Sequence, residues 1–283
     1  MVKAQELPSL FAEKKGLHAD YARRPVCALF RCILLSIILD PEQRPERQTS
    51  MNPNANIESC VDPARLEVLF PAAVVLRSAP VRDHFASLTH CEQSLVAHAV
   101  ERRRAEFSTG RVLAADGLRE LGIPRHPIGR GSHNEPLWPP GIVGSISHSS
   151  GICIVVLASS NAMEFIGIDV ESCTADVTKI GKLIMTPREL QRRSTADAVT
   201  LDERTRVTFC AKEAVFKAIF PLVARFVDFQ EVALTVNADT QTFEARACKD
   251  DNLDELLRRG IGRFGIFGSA LISSFFCEAA RRA

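Results

Sequence analysis

The sequence has no excess of either charge, no CxxC pair and no apolar run long enough to cross a bilayer. Lys and Arg number 35 against 34 Asp and Glu, a formal net charge of +1 over 283 residues. No bulk field therefore gathers a polyanion such as nucleic acid, and an anionic ligand needs a local basic pocket. Nine cysteines are present, but the count is odd and they are scattered at 27, 32, 60, 91, 153, 173, 210, 248 and 277. That pattern supports neither a disulfide framework nor a short-spaced zinc knuckle. Free thiols in a reducing cytosol are expected, with Cys153 and Cys210 as small core residues. There is no short-period repeat, no low-complexity tract and no G-x-S-x-G elbow. Hydrophobic residues at 46% and charged residues at 24% are ordinary for a globular chain. They exclude collagen-like, globally disordered and histone-like classes, and the length suggests about two domains.

The longest apolar run, VCALFRCILLSIIL over residues 26–39, is 14 residues long and interrupted by Arg31. A spanning helix needs about 20 residues, and a central Arg is costly there. Asp40-Pro41 follows with no small-residue cleavage site, which argues against a signal peptide. Residues 1–56 read as a poorly ordered extension with one short helix. It is either dispensable, a peripheral anchor or partner helix, or part of the fold. Met51 begins a more ordinary-looking start, and the remaining 233 residues hold 27 basic and 28 acidic groups.

Beyond it, residues 91–121 are rich in helix formers and end at Gly122, with Pro124 just beyond. Residues 122–141 form a Gly/Pro-rich loop. Residues 142–146 and 152–158 read as strands around a polar SHSSG turn, and 165–170 as a further strand. Thr186-Pro187-Arg188-Glu189 predicts a capping box with Pro at the first helical position. Residues 201–220 predict an amphipathic helix stopped by Pro221, and short β-like runs with one helix fill 226–283. The order is not a βαβ alternation. It predicts an α+β chain of two comparable halves, 57–160 and 161–283.

Four segments carry chemistry. In Ile166-Gly167-Ile168-Asp169-Val170-Glu171 the strand period puts Asp169 and Glu171 on one face. Two carboxylates there suit a hard cation such as Mg²⁺, although a lone D-x-E is also the mark of a solvated strand end. In Phe209-Cys210-Ala211-Lys212-Glu213-Ala214-Val215-Phe216-Lys217-Ala218, Glu213 and Lys217 are neighbours on one helical face. Alone they are an ordinary exposed pair, but apolar flanks predict burial, where charges need a partner or a job. Glu213 can complete a three-carboxylate metal site, with Lys212 and Lys217 facing a phosphate. Ser147 and His148, in GSISHSSG, can grip phosphate oxygens. As neighbours in a strand they would face opposite ways, which with the missing elbow rules against a Ser-His protease. Arg103 and Arg111 lie about 12 Å apart along a helix and offset by roughly 80°. They can flank a groove or form a solvated basic face.

GSISHSSG, IGIDVE and FCAKEAVFKA together resemble the signature motifs of 4′-phosphopantetheinyl transferases. PLWPPGIVGSISH and RRAEFSTGR are similar to the branch typified by enterobactin synthase component D. The motifs run from Arg103 to Lys217, about 40% of the chain, in the order and spacing of that family. The resemblance implies a pseudo-twofold pair of α+β halves with coenzyme A and Mg²⁺ between them. It implies metal ligation by Asp169, Glu171 and Glu213, and places Lys217 near the reacting phosphate. It implies coenzyme A contacts at Lys212, Ser147, His148 and Arg130, and 3′-phosphate binding by Arg103 and Arg111. His133 stands where many relatives carry another basic residue.

The expected reaction is Mg²⁺-dependent transfer of 4′-phosphopantetheine from coenzyme A to a serine of an apo acyl- or peptidyl-carrier protein. Glu213, directly or through bound water, is the candidate base, and Lys217 serves the leaving phosphate. Siderophore or other non-ribosomal peptide synthesis is the branch's usual setting, with polyketide or fatty-acid carriers as alternatives. A cytoplasmic monomer is expected. A metal-dependent phosphohydrolase acting on coenzyme A-like pyrophosphates and a non-catalytic coenzyme A binding protein are the rival readings.

Overall fold

The computed structural model describes residues 63–174, 177, 180–191 and 200–280. The expected extension over 1–56, its short helix and the start at Met51 lie outside the described residues. In chain order the elements are α1 (Pro63–Leu66), β1 (Val75–Pro80), α2 (His90–Ser94), α3 (Glu101–Glu120), β2 (Gly129–Arg130), β3 (Pro136–Leu137), β4 (Ile142–Ser149) and β5 (Ile152–Ser159). They continue with β6 (Met163–Ser172), α4 (Gly181–Ile184), α5 (Pro187–Gln191), α6 (Leu201–Val223), β7 (Val232–Asn237), β8 (Thr242–Ala247), α7 (Asp251–Arg258), β9 (Ile261–Phe267) and β10 (Ala270–Glu278).

These elements form two helix-on-sheet units. One is an antiparallel sheet in the order β1-β5-β4. Helix α3 covers it, burying Leu113, Ala114 and Leu118 against Val155 and Leu157. The other is a five-stranded antiparallel sheet in the order β6-β10-β9-β8-β7. Helix α6 covers it, packing Cys210, Ala211, Ala214 and Val215 on Phe165 and Phe275. Strand alternation then turns Ile154, Val156 and Ala158 of β5 toward Ile166, Ile168 and Val170 of β6, and this second face forms the core between the sheets. Each of the Ile and Val side chains there contributes about 1.5–3 kcal/mol by leaving water. The fold is α+β, with two similar halves.

A seam of hydroxyls joins the halves. Strand β6 pairs with β10 on one edge. On its other edge, Ser145 Oγ accepts from Ile168 N at 3.2 Å and Ser147 Oγ accepts from Val170 N at 3.2 Å. A buried strand edge cannot leave its N–H groups unpaired, and two β4 serines supply the acceptors in place of a further strand.

Three expectations change. The helix over 91–121 is two helices. The Thr89–Glu92 capping box starts α2, and the chain then turns so that Leu88 and Val96 bury against Phe107 before α3 begins. Gly122 ends α3 as expected, with a positive φ of 76°. Its N–H reaches Arg119 O, and that of Ile123 reaches Leu118 O, which closes the last turn. Helix α6 runs past Pro221 to Val223, because a proline in the final turn removes only one bond. Ala224 ends it in the left-handed region, donating to Phe220 O at 2.8 Å. Finally, the SHSSG turn is only Ser150-Gly151, both at positive φ. Ser147 and His148 belong to β4.

Candidate active site

Asp169 is fully buried on β6, on the face that α6 covers. Its Oδ1 accepts from Ser147 Oγ at 2.9 Å and from Lys217 Nζ at 2.5 Å. Lys217 also donates to Ser147 Oγ at 3.0 Å. One serine, one carboxylate and one ammonium from three elements thus close a polar triangle at the junction of the halves. Asp169 Oδ2, equally buried, has no hydrogen-bond partner. Its register partner on β10 is Ser273, whose buried Oγ also lacks one.

Gly167 makes this approach possible. A Cβ there would lie 2.1 Å from Ala214 O and 2.6 Å from Ala218 N. Helix α6 therefore rests directly on the strand backbone two residues before Asp169, and that seating brings Lys217 to the carboxylate.

Glu171 follows Asp169 by one strand period at the partly buried end of β6, and Glu213 precedes Lys217 by one turn on α6. Among the described residues, no group of three His, Cys, Asp or Glu side chains closes to metal-holding distance. The carboxylates do not form a finished cage, and Lys217 balances Asp169. The donor set still fits a hard cation. An unpartnered buried oxygen calls for a cation or donor, all three candidates supply oxygen, and Mg²⁺ ordinarily takes one or two carboxylates, waters and substrate phosphates rather than a complete protein cage.

A second cluster is basic. Arg111 is 6% exposed, lies 4.5 Å over the Phe107 ring, and donates to Gly129 O at 3.1 Å. Its buried Nε has no partner. Burial holds its guanidinium down at about 10; the nearby Glu92 charge opposes this, while Arg103 and Arg130 add to it. Arg103 and Arg130 are thus near enough to act on Arg111, and a buried guanidinium nitrogen beside them is unsatisfied. That is the electrostatics of an anion site. The Gly129 contact also ties Arg111 to the β2–β3 hairpin that carries Arg130. Arg104, by contrast, is held by Asp83 and the Phe85 ring.

Strand alternation separates Ser147 from His148. Ser147 joins Asp169, whereas His148 turns toward α3, where Arg103 Nη1 lies 3.2 Å from its Nε2. Cys153 lies opposite His148 on β5. Burial pushes its thiol up to about 12, Glu106 adds to the rise, and Arg111 and Lys217 oppose it.

Two expected ligand contacts sit elsewhere. Lys212 is 3% exposed and donates at 2.8 Å to Ile184 O, Phe229 O and Glu189 Oε2. An ammonium has three hydrogens, so none is left for coenzyme A. Burial lowers its pKa and the Glu189 charge opposes that. The spacing placed Lys212 correctly on the helix, but it turns away from the face that carries Lys217. His133 receives its place from Ser132 and Glu135, and its ring centroid is 5.1 Å from that of Phe220. It spans the halves through α6 and is not brought to Arg111 by these contacts.

Sequence reasoning passed over Glu92, Glu106 and Ser145. Glu92 is 5% exposed, caps α2 and accepts from Ile128 N at 3.1 Å. Glu106 sits between Arg103 and His148. It lies inside the RRAEFSTGR segment, where a single acid among arginines gives no signal of its own.

Residues 91–158 match the model of the 4′-phosphopantetheinyl transferase N-terminal domain, and 165–260 that of the 4′-phosphopantetheinyl transferase superfamily. The 4′-phosphopantetheinyl transferase Npt of Nocardia iowensis is 36% identical over 173 residues, which are 60% of this chain and 76% of the relative. The 4′-phosphopantetheinyl transferase PptT of Mycobacterium tuberculosis is 38% identical over 55% of this chain and 68% of its own length. Enterobactin synthase component D of Salmonella typhimurium is 34% identical over 42% of this chain and 50% of its own. The chain belongs to the 4′-phosphopantetheinyl transferase superfamily and is an enzyme of that class.

Proposed function

We propose that the enzyme transfers 4′-phosphopantetheine from coenzyme A to a serine hydroxyl of an apo acyl- or peptidyl-carrier protein, with Mg²⁺ as cofactor. The observation that carries this reading is the buried Asp169 carboxylate, with Oδ1 held by Lys217 and Ser147 and Oδ2 unpartnered. Asp169, Glu171 and Glu213 would hold Mg²⁺, which when bound supplies positive charge at the pyrophosphate.

The side chains divide the remaining work. Arg103, Arg111 and Arg130 bind the nucleotide end and fix its orientation, so that the pyrophosphate lies toward Lys217. Glu213 takes the proton of the incoming serine. The serine oxygen forms a bond to the phosphorus that carries pantetheine, and the pyrophosphate P–O bond breaks. Adenosine 3′,5′-bisphosphate leaves, and Lys217 neutralises or protonates its departing phosphate. Ser147 holds the Lys217 ammonium in line. Relatives named enterobactin synthase component D favour a siderophore-type carrier as the acceptor.

The test is incubation of the full chain with coenzyme A, Mg²⁺ and a panel of apo-carrier proteins. A covalent gain of about 340 Da on a carrier serine is expected, the mass of the transferred group. Phosphopantetheine released into solution with every carrier unmodified would indicate hydrolysis instead.

A further inference from the structure

Glu106 is an acid placed where the charge should be positive. Three cationic or protonatable groups surround its carboxylate: Arg102 Nε at 3.0 Å, Arg103 Nη1 at 3.8 Å and His148 Nδ1 at 3.6 Å. Arg103 and His148 also meet, at 3.2 Å between Nη1 and Nε2. A guanidinium can only donate. That contact assigns the lone pair to Nε2 and the ring proton to Nδ1, on the side of Glu106. The pair with Arg102 is an ordinary i,i+4 contact within α3. The reach to His148 is different, because it crosses from α3 to β4 and fixes a ring on the wall of the anion site.

A carboxylate beside a phosphate site weakens anion binding through its charge. Its presence calls for a compensating role. We propose that Glu106 is a positioning residue: it holds the His148 ring by its Nδ1 side and the Arg103 guanidinium by its flank, so that both face the nucleotide end of coenzyme A side by side. The inference rests on the coenzyme A reading above. Without Glu106, Arg103 would keep its charge but lose its aim, and His148 would be free to change tautomer and turn. Binding energy would fall while the chemistry at Asp169 and Lys217, on the other face of β4, continued.

The first readout needs no variant. Ring ¹⁵N shifts of His148 in the wild-type chain without ligand should report the Nδ1–H tautomer, and an Nε2–H tautomer would overturn the proposal. The second is kinetic, with Mg²⁺ and an apo-carrier. Glu106→Gln should raise KM for coenzyme A about tenfold with kcat within about twofold, and Glu106→Asp should recover most of the loss. Glu106→Gln/His148→Ala should be no weaker than His148→Ala alone, as expected for residues acting through one contact. An unchanged KM, a loss confined to kcat, or losses that multiply would each overturn it. If Glu106→Gln fails to fold, Glu106→Ala carries the same kinetic and double-variant test, and an Nε2–H ring in the wild type still overturns the proposal. Wild-type chain that neither binds nor uses coenzyme A would instead refute the function itself, a result separable from normal wild-type transfer with an indifferent Glu106.

Discussion

Asp169 makes its hydrogen bonds through one oxygen, and the other, equally buried, has no partner. Its neighbour Lys217 and its serine come from elements that the chain brings together across the junction of the halves. The shared face of Asp169 and Glu171 was legible in the sequence, because a period of two is rigid. The place of Lys212 was not. Helical spacing gives relative angles, but not which face meets the ligand. Its three donors serve Glu189 and two carbonyls. Lys212→Met should therefore leave Glu189 buried without its cation and cost about 3–5 kcal/mol. KM for coenzyme A in the folded protein should stay unchanged. Urea midpoints and steady-state kinetics check both halves of that statement.

Cys153 adds a pH dependence at the same scale. Its thiol is raised from 9.0 to about 12, chiefly by burial. The unfolded chain therefore gives up this proton near pH 9, while the folded chain keeps it. The stability it supports is complete below that pH and falls as pH rises toward 12. Arg111, held near 10, titrates in the opposite sense above that value, and Cys210, whose buried thiol is also raised, contributes alike with and without Cys153, so comparison of the two proteins between pH 9 and 10 isolates the Cys153 thiol. Across it, Cys153→Ala should lose about 1 kcal/mol less than the wild type. Equal slopes in pH-dependent urea melts would contradict the assignment.

Helix α6 is the element on which the site depends. It begins at a Thr200–Glu203 capping box, lies on β6 where Gly167 has no side chain, and carries Glu213 and Lys217 one turn apart. Gly167→Ala would press a methyl group on the helix backbone rather than on a side chain that could swing aside. It should cost about 1–3 kcal/mol and reduce transfer beyond that loss, because Lys217 moves with the helix. Thermal melts and rates measured well below the melting temperature separate the two effects. The capping box at Thr186–Glu189 could be read from the sequence, and the structure forms it, with Thr186 N 2.6 Å from Glu189 Oε2. The rest was less legible. A run of helix formers does not show that Leu88 and Val96 must turn inward to meet Phe107, and that packing divides 91–121 in two. Nor does a polar SHSSG segment show that Ser147 is an acceptor for β6, or that pairing with β5 carries β4 on to Ser149.

At the scale of the molecule, the two halves share the core between β5 and β6 and the seam of Ser145 and Ser147. Neither sheet can expose that face without exposing Ile154, Val156, Ile166 and Ile168. The halves should therefore unfold together. Trp138, the one tryptophan, packs in the first half and donates to Gly144 O at 2.9 Å. Its fluorescence should share one urea midpoint with the far-ultraviolet circular dichroism of the whole chain. Separate midpoints would show two independent units. Among the described residues, no helix is long and apolar enough to cross a membrane. The near-zero net charge is no obstacle to a polyanionic substrate, because Arg103 and Arg130 add positive charge near the buried Arg111 guanidinium.

The central claim is that a carboxylate at Asp169 is required for phosphopantetheine transfer. The most direct measurement is the mass of an apo-carrier protein after incubation with coenzyme A, Mg²⁺ and either wild-type chain or Asp169→Asn. The variant keeps the side chain's shape and removes its charge. Wild type should add about 340 Da to a carrier serine, and Asp169→Asn, folded by circular dichroism, should be slower by about a hundredfold or more. Transfer at the wild-type rate by the folded variant would contradict the account.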